Sequence, residues 1–348
     1  MNQQEQIIDK LLSGKLIEDD ELAVILETDE YDNLLKEAAD SARRQVYGTD
    51  VYIRGLIEFT NYCENNCFYC GIRRDNSGLS RYRLMREEIL SCCDAGYKLG
   101  FRTFVLQGGE DPFYDDDEMC KIIQAVKSGY PDCALTLSTG EKSYKSYKMY
   151  FDAGADRYLL RHETADAEHY SQLHPKSMSL ENRKECLMNL KSIGFQTGSG
   201  FMVGSPYQKT EYLVKDIKFL IELKPEMIGI GPYITHHKTP FKAFNSGSLE
   251  LTLRLISILR LIFPYALIPA TTALSSIASN GRELGLKAGA NVVMPNLSPP
   301  SVRNQYSLYD GKVFSGEEAA ERLSFLKKQV NKAGYNVVVT RGDAKTLT

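Results

Sequence analysis

A closed α/β barrel of the (β/α)8 TIM type, preceded by a helical N-terminal extension, is the fold this sequence predicts. Three observations carry it. Eight apolar or β-branched runs recur after Val51, a stretch of helical periodicity follows each, and the eight units occupy about 270 residues, the size such a barrel takes. A doubly wound open sheet uses the same units, but the strand count favours closure.

Residues 1–49 read as the extension. Helical periodicity runs through 3–14, 18–27 and 28–48 with no strand-like run, and "SGKLIEDDEL" carries a turn and a cap. Residues 50–348 read as one barrel domain ending in a C-terminal helix at 315–334. Strands are expected at 51–59, 103–107, 134–138, 157–160, 196–204, 227–234, 266–272 and 291–295. Helices are expected between them, and several stop on a glycine just before the next strand. The most apolar stretch, "LTLRLISILRLIFPYALIPA", is broken by Arg254, Arg260 and prolines. It reads as a buried helix followed by a strand, since a membrane span needs about 18–20 apolar residues.

The hydrophobic share of 43% and charged share of 25% are those of an ordinary soluble globular chain. A net charge of −3 supplies no basic field, so neither nucleic acid nor a membrane surface is expected as a partner. The N-terminus lacks the basic start and apolar run of a secretory signal, and a cytoplasmic protein is expected.

Of the eight cysteines, Cys92, Cys93, Cys120, Cys133 and Cys186 are scattered through helix and strand pattern and read as small buried hydrophobes. The other three stand in "TNYCENNCFYCGIRR" as C-x3-C-x2-C: Cys63, Cys67 and Cys70. A disulfide uses two thiols and a closed structural metal site uses four, so three thiolates imply a centre with one open position. Zinc needs a fourth ligand, and the five histidines are all distant in sequence, although a barrel brings distant residues together. A 4Fe–4S cluster accepts three cysteines when its fourth iron is left to a substrate. The ligand rules alone leave both readings open.

Other polar motifs fall where barrel chemistry sits, at the C-terminal ends of strands. "LQGGEDP" follows the second, "RHETAD" the fourth, Thr271 and Thr272 the seventh, and Asn296 the eighth. Gly108 and Gly109 let backbone approach a ligand, and Glu110 accepts hydrogen bonds from an ammonium group. Arg161 and Glu163, two apart, share one side. An arginine fork holds a carboxylate and a carboxylate holds ribose hydroxyls, but a structural ion pair accounts for the same spacing. His162 points the other way and reads as a core residue. "TGSGFMVGSP" is too glycine-rich for an ordinary strand and suggests backbone packed near a ligand, with Ser199 and Met202 as candidate side chains.

With Tyr69 just before its last cysteine, the triple resembles the signature of the radical S-adenosylmethionine enzymes, and the resemblance runs from about Tyr52 to Tyr309. It implies that Cys63, Cys67 and Cys70 hold one 4Fe–4S cluster whose remaining iron binds S-adenosyl-L-methionine. It further implies that Tyr69 lies over the adenine and that Gln107, Gly108, Gly109 and Glu110 bind the methionine amino group. Arg161, Glu163, Arg183 and Met202 complete the implied cofactor contacts, Met202 as an apolar one. The implied reaction is reductive cleavage to methionine and a 5′-deoxyadenosyl radical, fed by a ferredoxin or flavodoxin.

"IEFTNYCENNCFYCGIRRDN", "RYRL", "RYLLRHETAD", "GIGPYITHHKTP", "IPATTA" and "ANVVMPNLSPP" together are similar to the HydE-type FeFe-hydrogenase maturases, a group allied to the biotin and methylornithine synthases. That implies work with other hydrogenase maturases on an organometallic substrate, an iron–cysteine species carrying carbonyl and cyanide. An amino-acid or sulfur-containing substrate is the alternative. Thr271 and Thr272 then offer hydroxyls to an anionic ligand, and Tyr306 closes the cavity over substrate. No cysteine follows Cys186, so the second cluster of some relatives is not expected.

Overall fold

The computed structural model describes residues 3–13, 15, 17–313 and 320–345. Three helices come first, α1 (Gln3–Leu12), α2 (Asp19–Glu27) and α3 (Asp32–Tyr47). The chain then runs through β1 (Asp50–Ile53), β2 (Gly55–Thr60), α4 (Arg86–Lys98), β3 (Thr103–Gly108), α5 (Asp116–Gly129), β4 (Ala134–Ser138), α6 (Tyr144–Asp152) and β5 (Arg157–Leu159). Next come α7 (Ala167–Leu173), α8 (Leu180–Ile193), β6 (Gln196–Ser199), β7 (Met202–Val203), α9 (Thr210–Leu223), β8 (Met227–Ile228) and β9 (Gly231–Pro232). The last part holds α10 (Leu249–Ile262), α11 (Thr272–Ile277), α12 (Gly281–Lys287), β10 (Val292–Val293), α13 (Pro300–Arg303), α14 (Leu323–Lys332) and β11 (Asn336–Val338).

Local chemistry sets many of these boundaries. Asp115, Ser143, Asp166, Ser179 and Ser248 each stand one residue before a helix and accept a backbone N–H from its first turn, filling a donor the helix cannot satisfy. Gly194, with φ +107°, ends α8 in the left-handed conformation a side chain resists.

Strands β2, β3, β4, β5, β6 and β8 hydrogen-bond in that order, all parallel. The ring closes through the seventh expected strand, which is reduced to two bridges, Met227 to Leu267 and Pro269 to Val292. Pro269 has no N–H to give to a ladder, which is why 266–272 forms no longer strand. From β10 the ring returns to β1 by Tyr52–Val292 pairing and to β2 by a bridge between Leu56 and Asn296. The barrel is therefore closed, as its strand count requires.

Three expected strands are broken, the sixth into β8 and β9. The first splits at Arg54 into β1 and β2, and the fifth splits at Gly200, where a Cβ would stand 2.1 Å from the Gly229 carbonyl oxygen. Gly200 thus permits close packing on the neighbouring strand, a role the sequence reading did not give it. Ser199 turns away from the barrel interior and meets His162.

The arginines that interrupt the apolar run of α10 are buried and matched. Arg254 Nε donates to Asp32 Oδ1 at 2.5 Å, tying α10 to α3, and Arg260 donates to the carbonyls of Gly289 and Ala266 at 2.8 Å each. The start of the expected 315–334 helix lies outside the described residues; α14 covers its later part. An element the sequence reading lacked follows it: β11 pairs parallel with β1, and the chain then runs beneath the barrel. There the wholly buried Arg157 donates to the Arg341 carbonyl at 2.8 Å and to Asp343 Oδ1 at 2.6 Å. Burial alone would raise the Asp343 carboxyl, but the Gln196 hydrogen bond and the Arg157 charge hold it well below the usual carboxylate range. This segment covers the N-terminal end of the barrel. Among the described residues, no helix is long and apolar enough to cross a membrane.

Candidate active site

The cysteine loop leaves β2 at Thr60 and is fixed by its neighbours. Arg81 donates to the carbonyls of Ile72 and Arg73 at 2.8 and 2.7 Å, and Asn61 Nδ2 to those of Ser80 and Gln305 at 2.8 Å each. Gly71 N–H donates to the Leu308 carbonyl at 2.8 Å, and Glu64 N–H to the Glu110 carbonyl at 2.8 Å. The second motif packs directly against this loop: a Cβ on Gly109 would stand 2.1 Å from the Tyr62 carbonyl oxygen and 2.6 Å from the Cys63 Cβ. The glycine pair therefore permits contact between two motifs as much as contact with a ligand.

Cys63, Cys67 and Cys70 are partly buried free thiols. Burial pushes Cys70 up to about 12 and raises Cys63 and Cys67 as well, so their thiolates need a cation to hold them in that form. Their Sγ atoms are not all within 4.8 Å of one another. A single tetrahedral zinc, with bonds of about 2.3 Å, would draw sulfurs to about 3.8 Å apart. Three thiols at one cavity, with no fourth protein ligand grouped with them among the described residues, are the donor set of a 4Fe–4S cluster with one open iron.

Among the described residues, one group of three does satisfy that close spacing: His236, His237 and Asp310. The Lys238 N–H donates to His236 Nδ1 at 3.1 Å, which leaves the His236 proton on Nε2 facing Asp310. His237 alone hydrogen-bonds Asp310, through its N–H and its Nδ1 at 2.7 Å each, and ties the two loops together, while His236 Nε2 stays 3.9 Å from the same carboxylate.

A cavity of about 370 Å³ runs from the cysteine loop into the barrel, and of the side chains singled out above for the site all but Ser199 and Asn296 line it. On one wall the Glu110 carboxyl lies against Gly140, where a Cβ would stand 2.1 Å from its Cγ and 2.2 Å from Oε1. Burial pushes Glu110 up to about 7 against the pull of the Arg183 charge. Arg183 is itself buried, donating to Glu141 Oε1 at 2.5 Å and to the Arg161 carbonyl at 2.8 Å, so it is not the exposed helix arginine that its place on α8 allows.

Arg161 Nη2 stands 2.9 Å from Glu163 Oε2, but neither atom makes an aligned hydrogen bond, and Arg161 Nε has no partner among the described residues. Both groups thus keep capacity for a ligand. Glu163 has φ +66°, and the Thr164 N–H donates to the His162 carbonyl at 2.8 Å, a three-residue turn around Glu163. Such strain costs about 1–3 kcal/mol and collects at functional sites.

Further round the wall, Tyr69 Oη meets His174 Nε2 at 3.2 Å, and Met202 joins Tyr69, Tyr233 and Phe241 in a small apolar cluster. Gln107 Nε2 donates to Tyr306 Oη at 3.4 Å. Thr271 stands at the start of α11, and its Oγ1 has no partner among the described residues; Thr272 follows as the first residue of the helix.

The sequence reading missed the base of the cavity. Arg54 is buried there, with Nη1 on Met227 Sδ at 3.0 Å and with Nε and Nη2 unpartnered among the described residues. Burial, then the Arg157 charge, pulls its pKa well down. A guanidinium in that state calls for an anion. The signal was in view, a charged residue inside the apolar run "VYIRGLIEF". Also missed were Met178, whose Sδ is 3.8 Å from Cys67 Sγ, and the buried Glu58–Lys312 pair, with Asn296 on the second Glu58 oxygen at 2.8 Å.

Residues 57–220 match the Radical SAM superfamily. The [FeFe] hydrogenase maturase subunit HydE of Thermotoga maritima is 43% identical over 304 residues, 87% of this chain and 86% of the relative. The 3-methylornithine synthase of Methanosarcina acetivorans is 31% identical over 308 residues, 87% of this chain and 86% of the relative. The crystal structure of methylornithine synthase (PylB) superposes with a TM-score of 0.83 at 27% identity, covering 95% of this chain and 97% of that one.

Proposed function

Because this chain belongs to the radical SAM superfamily and is one of its enzymes, we propose that it works as a HydE-type maturase, acting on an iron–cysteine carbonyl/cyanide precursor during assembly of the FeFe-hydrogenase H-cluster. The observation that carries this choice within the superfamily is the 43% identity to the maturase subunit, against 31% to the methylornithine synthase, over the same share of the chain. The cavity base supports it. Arg54 and the Thr271 hydroxyl present donors and positive charge, which suit an anionic group such as metal-bound cyanide or a carboxylate. The other maturases and a ferredoxin or flavodoxin are the proposed partners, and the cytoplasm the proposed location. Residues 1–49 as extension and 50–348 as barrel belong to the same reading.

One 4Fe–4S cluster and S-adenosylmethionine, when bound, supply an electron and a sulfonium whose cleavage yields methionine and a 5′-deoxyadenosyl radical. Cys63, Cys67 and Cys70 would hold the cluster and leave one iron open. Glu110, with Gln107, Gly108 and Gly109 beside it, would take the methionine ammonium, and Arg161 or Arg183 its carboxylate. Glu163 would take the ribose hydroxyls, and Tyr69 and Met202 the adenine. Tyr306, wholly buried, would orient substrate from its hydrogen bond with Gln107, with Thr271 and Thr272 beneath. The closed barrel keeps water from a radical that attacks most C–H bonds.

Three parallel anaerobic incubations test the choice, each with reconstituted protein, dithionite and S-adenosylmethionine. The iron–cysteine carbonyl/cyanide complex should be consumed, followed through its infrared carbonyl and cyanide bands, while lysine and dethiobiotin stay unchanged. Methylornithine or biotin as the product would replace the maturase assignment.

A further inference from the structure

Behind the Arg161–Glu163 pair lies a group of polar side chains that the reading above leaves without a role. His162 points away from the cavity and is wholly buried, with Nδ1 2.9 Å from Ser199 Oγ and Nε2 3.3 Å from Asp216 Oδ1. Asp216, on α9, is equally buried, and the same Oδ1 accepts the Ala165 N–H at 2.5 Å. Phe219 and Phe201 close round the imidazole, with ring centroids 5.0 and 5.7 Å away. Serine, histidine and aspartate in a row suggest a nucleophile, but none of the three lines the cavity and all are sealed from solvent, so no substrate reaches them.

A core does not need such a cluster. Apolar residues of the same volume fill a buried site at least as well, because charged and polar groups lose their water there. What the cluster does border is the strained turn. His162 is the residue before Glu163, and Ala165 is two residues after it. The imidazole is held from β6 and α9, while Asp216 reaches past it to the backbone on the far side of the turn. Between these two anchors Glu163 keeps its left-handed backbone, with its own N–H on the Gly200 carbonyl at 3.1 Å. Burial raises the Asp216 carboxyl and lowers the His162 imidazole, and the two meet by proximity, His162 Nε2 making no aligned hydrogen bond among the described residues.

We propose that His162 and Asp216 are positioning residues: they clamp both sides of the Glu163 turn and so aim its carboxylate, beside Arg161, at the ribose hydroxyls of the bound sulfonium cofactor. The proposal rests on the assignment of Glu163 to the ribose made above. Arg161 and Glu163 of "RHETAD" thus face the cavity, and the buried histidine between them holds their direction.

The test is calorimetric titration of cluster-loaded protein with S-adenosylhomocysteine and with its 2′,3′-dideoxy form, which differ only in the ribose hydroxyls. Unchanged protein should prefer the first by about tenfold or more, since a site built to bond hydroxyls rejects a ligand without them. Glu163→Gln should lose most of that preference. His162→Phe, a ring of similar size without polar atoms, should lose it too while binding the dideoxy form as before. Asp216→Asn, which still offers an oxygen to Ala165 and an N–H to the imidazole, should keep it. Equal weakening of both ligands in a folded His162→Phe protein would overturn the proposal. So would a His162→Phe protein of unchanged melting temperature that retains the full preference while Glu163→Gln loses it; the ribose assignment would then survive. Full preference in Glu163→Gln would instead defeat the ribose assignment and the proposal with it. Should His162→Phe fail to fold, Ser199→Ala removes only the Nδ1 contact: a narrowed preference supports the clamp and an unchanged one overturns it.

Discussion

Cys67→Ser abolishes cleavage of S-adenosylmethionine by the reconstituted protein, while the apoprotein melts as before. Cys67 lies in a loop tied down by other residues: Arg81, Asn61, the Gly71 N–H and the Gly109 contact fix the chain without its thiol. Exchange of sulfur for oxygen in a partly buried position therefore changes stability little, within about 0.5 kcal/mol for a substitution that breaks no such feature. Function is another matter. Partners outside the first coordination layer of a metal site already cost about 10–100-fold when lost, so removal of a ligand should exceed about 100-fold in methionine and 5′-deoxyadenosine release. Cys120→Ser, on α5 and outside the cavity, is the control that should leave release unchanged. Full release by Cys67→Ser would mean that the triple does not hold the reactive centre.

Gly140→Ala should weaken S-adenosylmethionine binding by about 10–150-fold, the loss expected when a charge-assisted hydrogen bond of about 1.5–3 kcal/mol is broken. Gly140 adopts φ +79°, and a Cβ there would enter the space of the Glu110 Cγ, Cδ and Oε1. The Glu110 side chain is the part free to give, so it must swing off the wall on which it is aimed. The left-handed backbone adds about 1–2 kcal/mol of destabilisation, small beside the binding effect. Coupling supplies the sharper check. Once Glu110→Gln has removed the carboxylate, adding Gly140→Ala should cost little further affinity, because both changes act through one group. Additive losses measured by equilibrium binding would separate Gly140 from Glu110 and refute the account of that wall.

Much of this was legible because patterns of apolar residues and of chemistry coincide. Runs of period two and stretches of period 3.6 gave the order of units, and cysteines, "QGGE" and "RHE" fell at strand ends, where a barrel gathers them. What escaped depends on distant packing. The run 266–272 looks like a strand, yet Pro269 withholds its N–H and only bridges remain. The valines of β11 follow a helix at the chain's end, and nothing local says that they pair with β1. Arg54 stands out in an apolar run, yet nothing local marks it as a cavity residue: the break between β1 and β2 falls on it and leaves it buried under the cavity. The backbone of Glu163 is the plainest case. Its φ is imposed by Gly200, His162 and Thr164, and no property of a glutamate in "RHETAD" announces it.

Electron paramagnetic resonance of the anaerobically reconstituted, dithionite-reduced protein, recorded with and without S-adenosylmethionine, tests the central claim most directly. About four irons per chain and a reduced-cluster signal that changes shape when the sulfonium is added are what three cysteine ligands and one open iron predict. A signal indifferent to S-adenosylmethionine, or protein that takes up zinc and no iron, would contradict it.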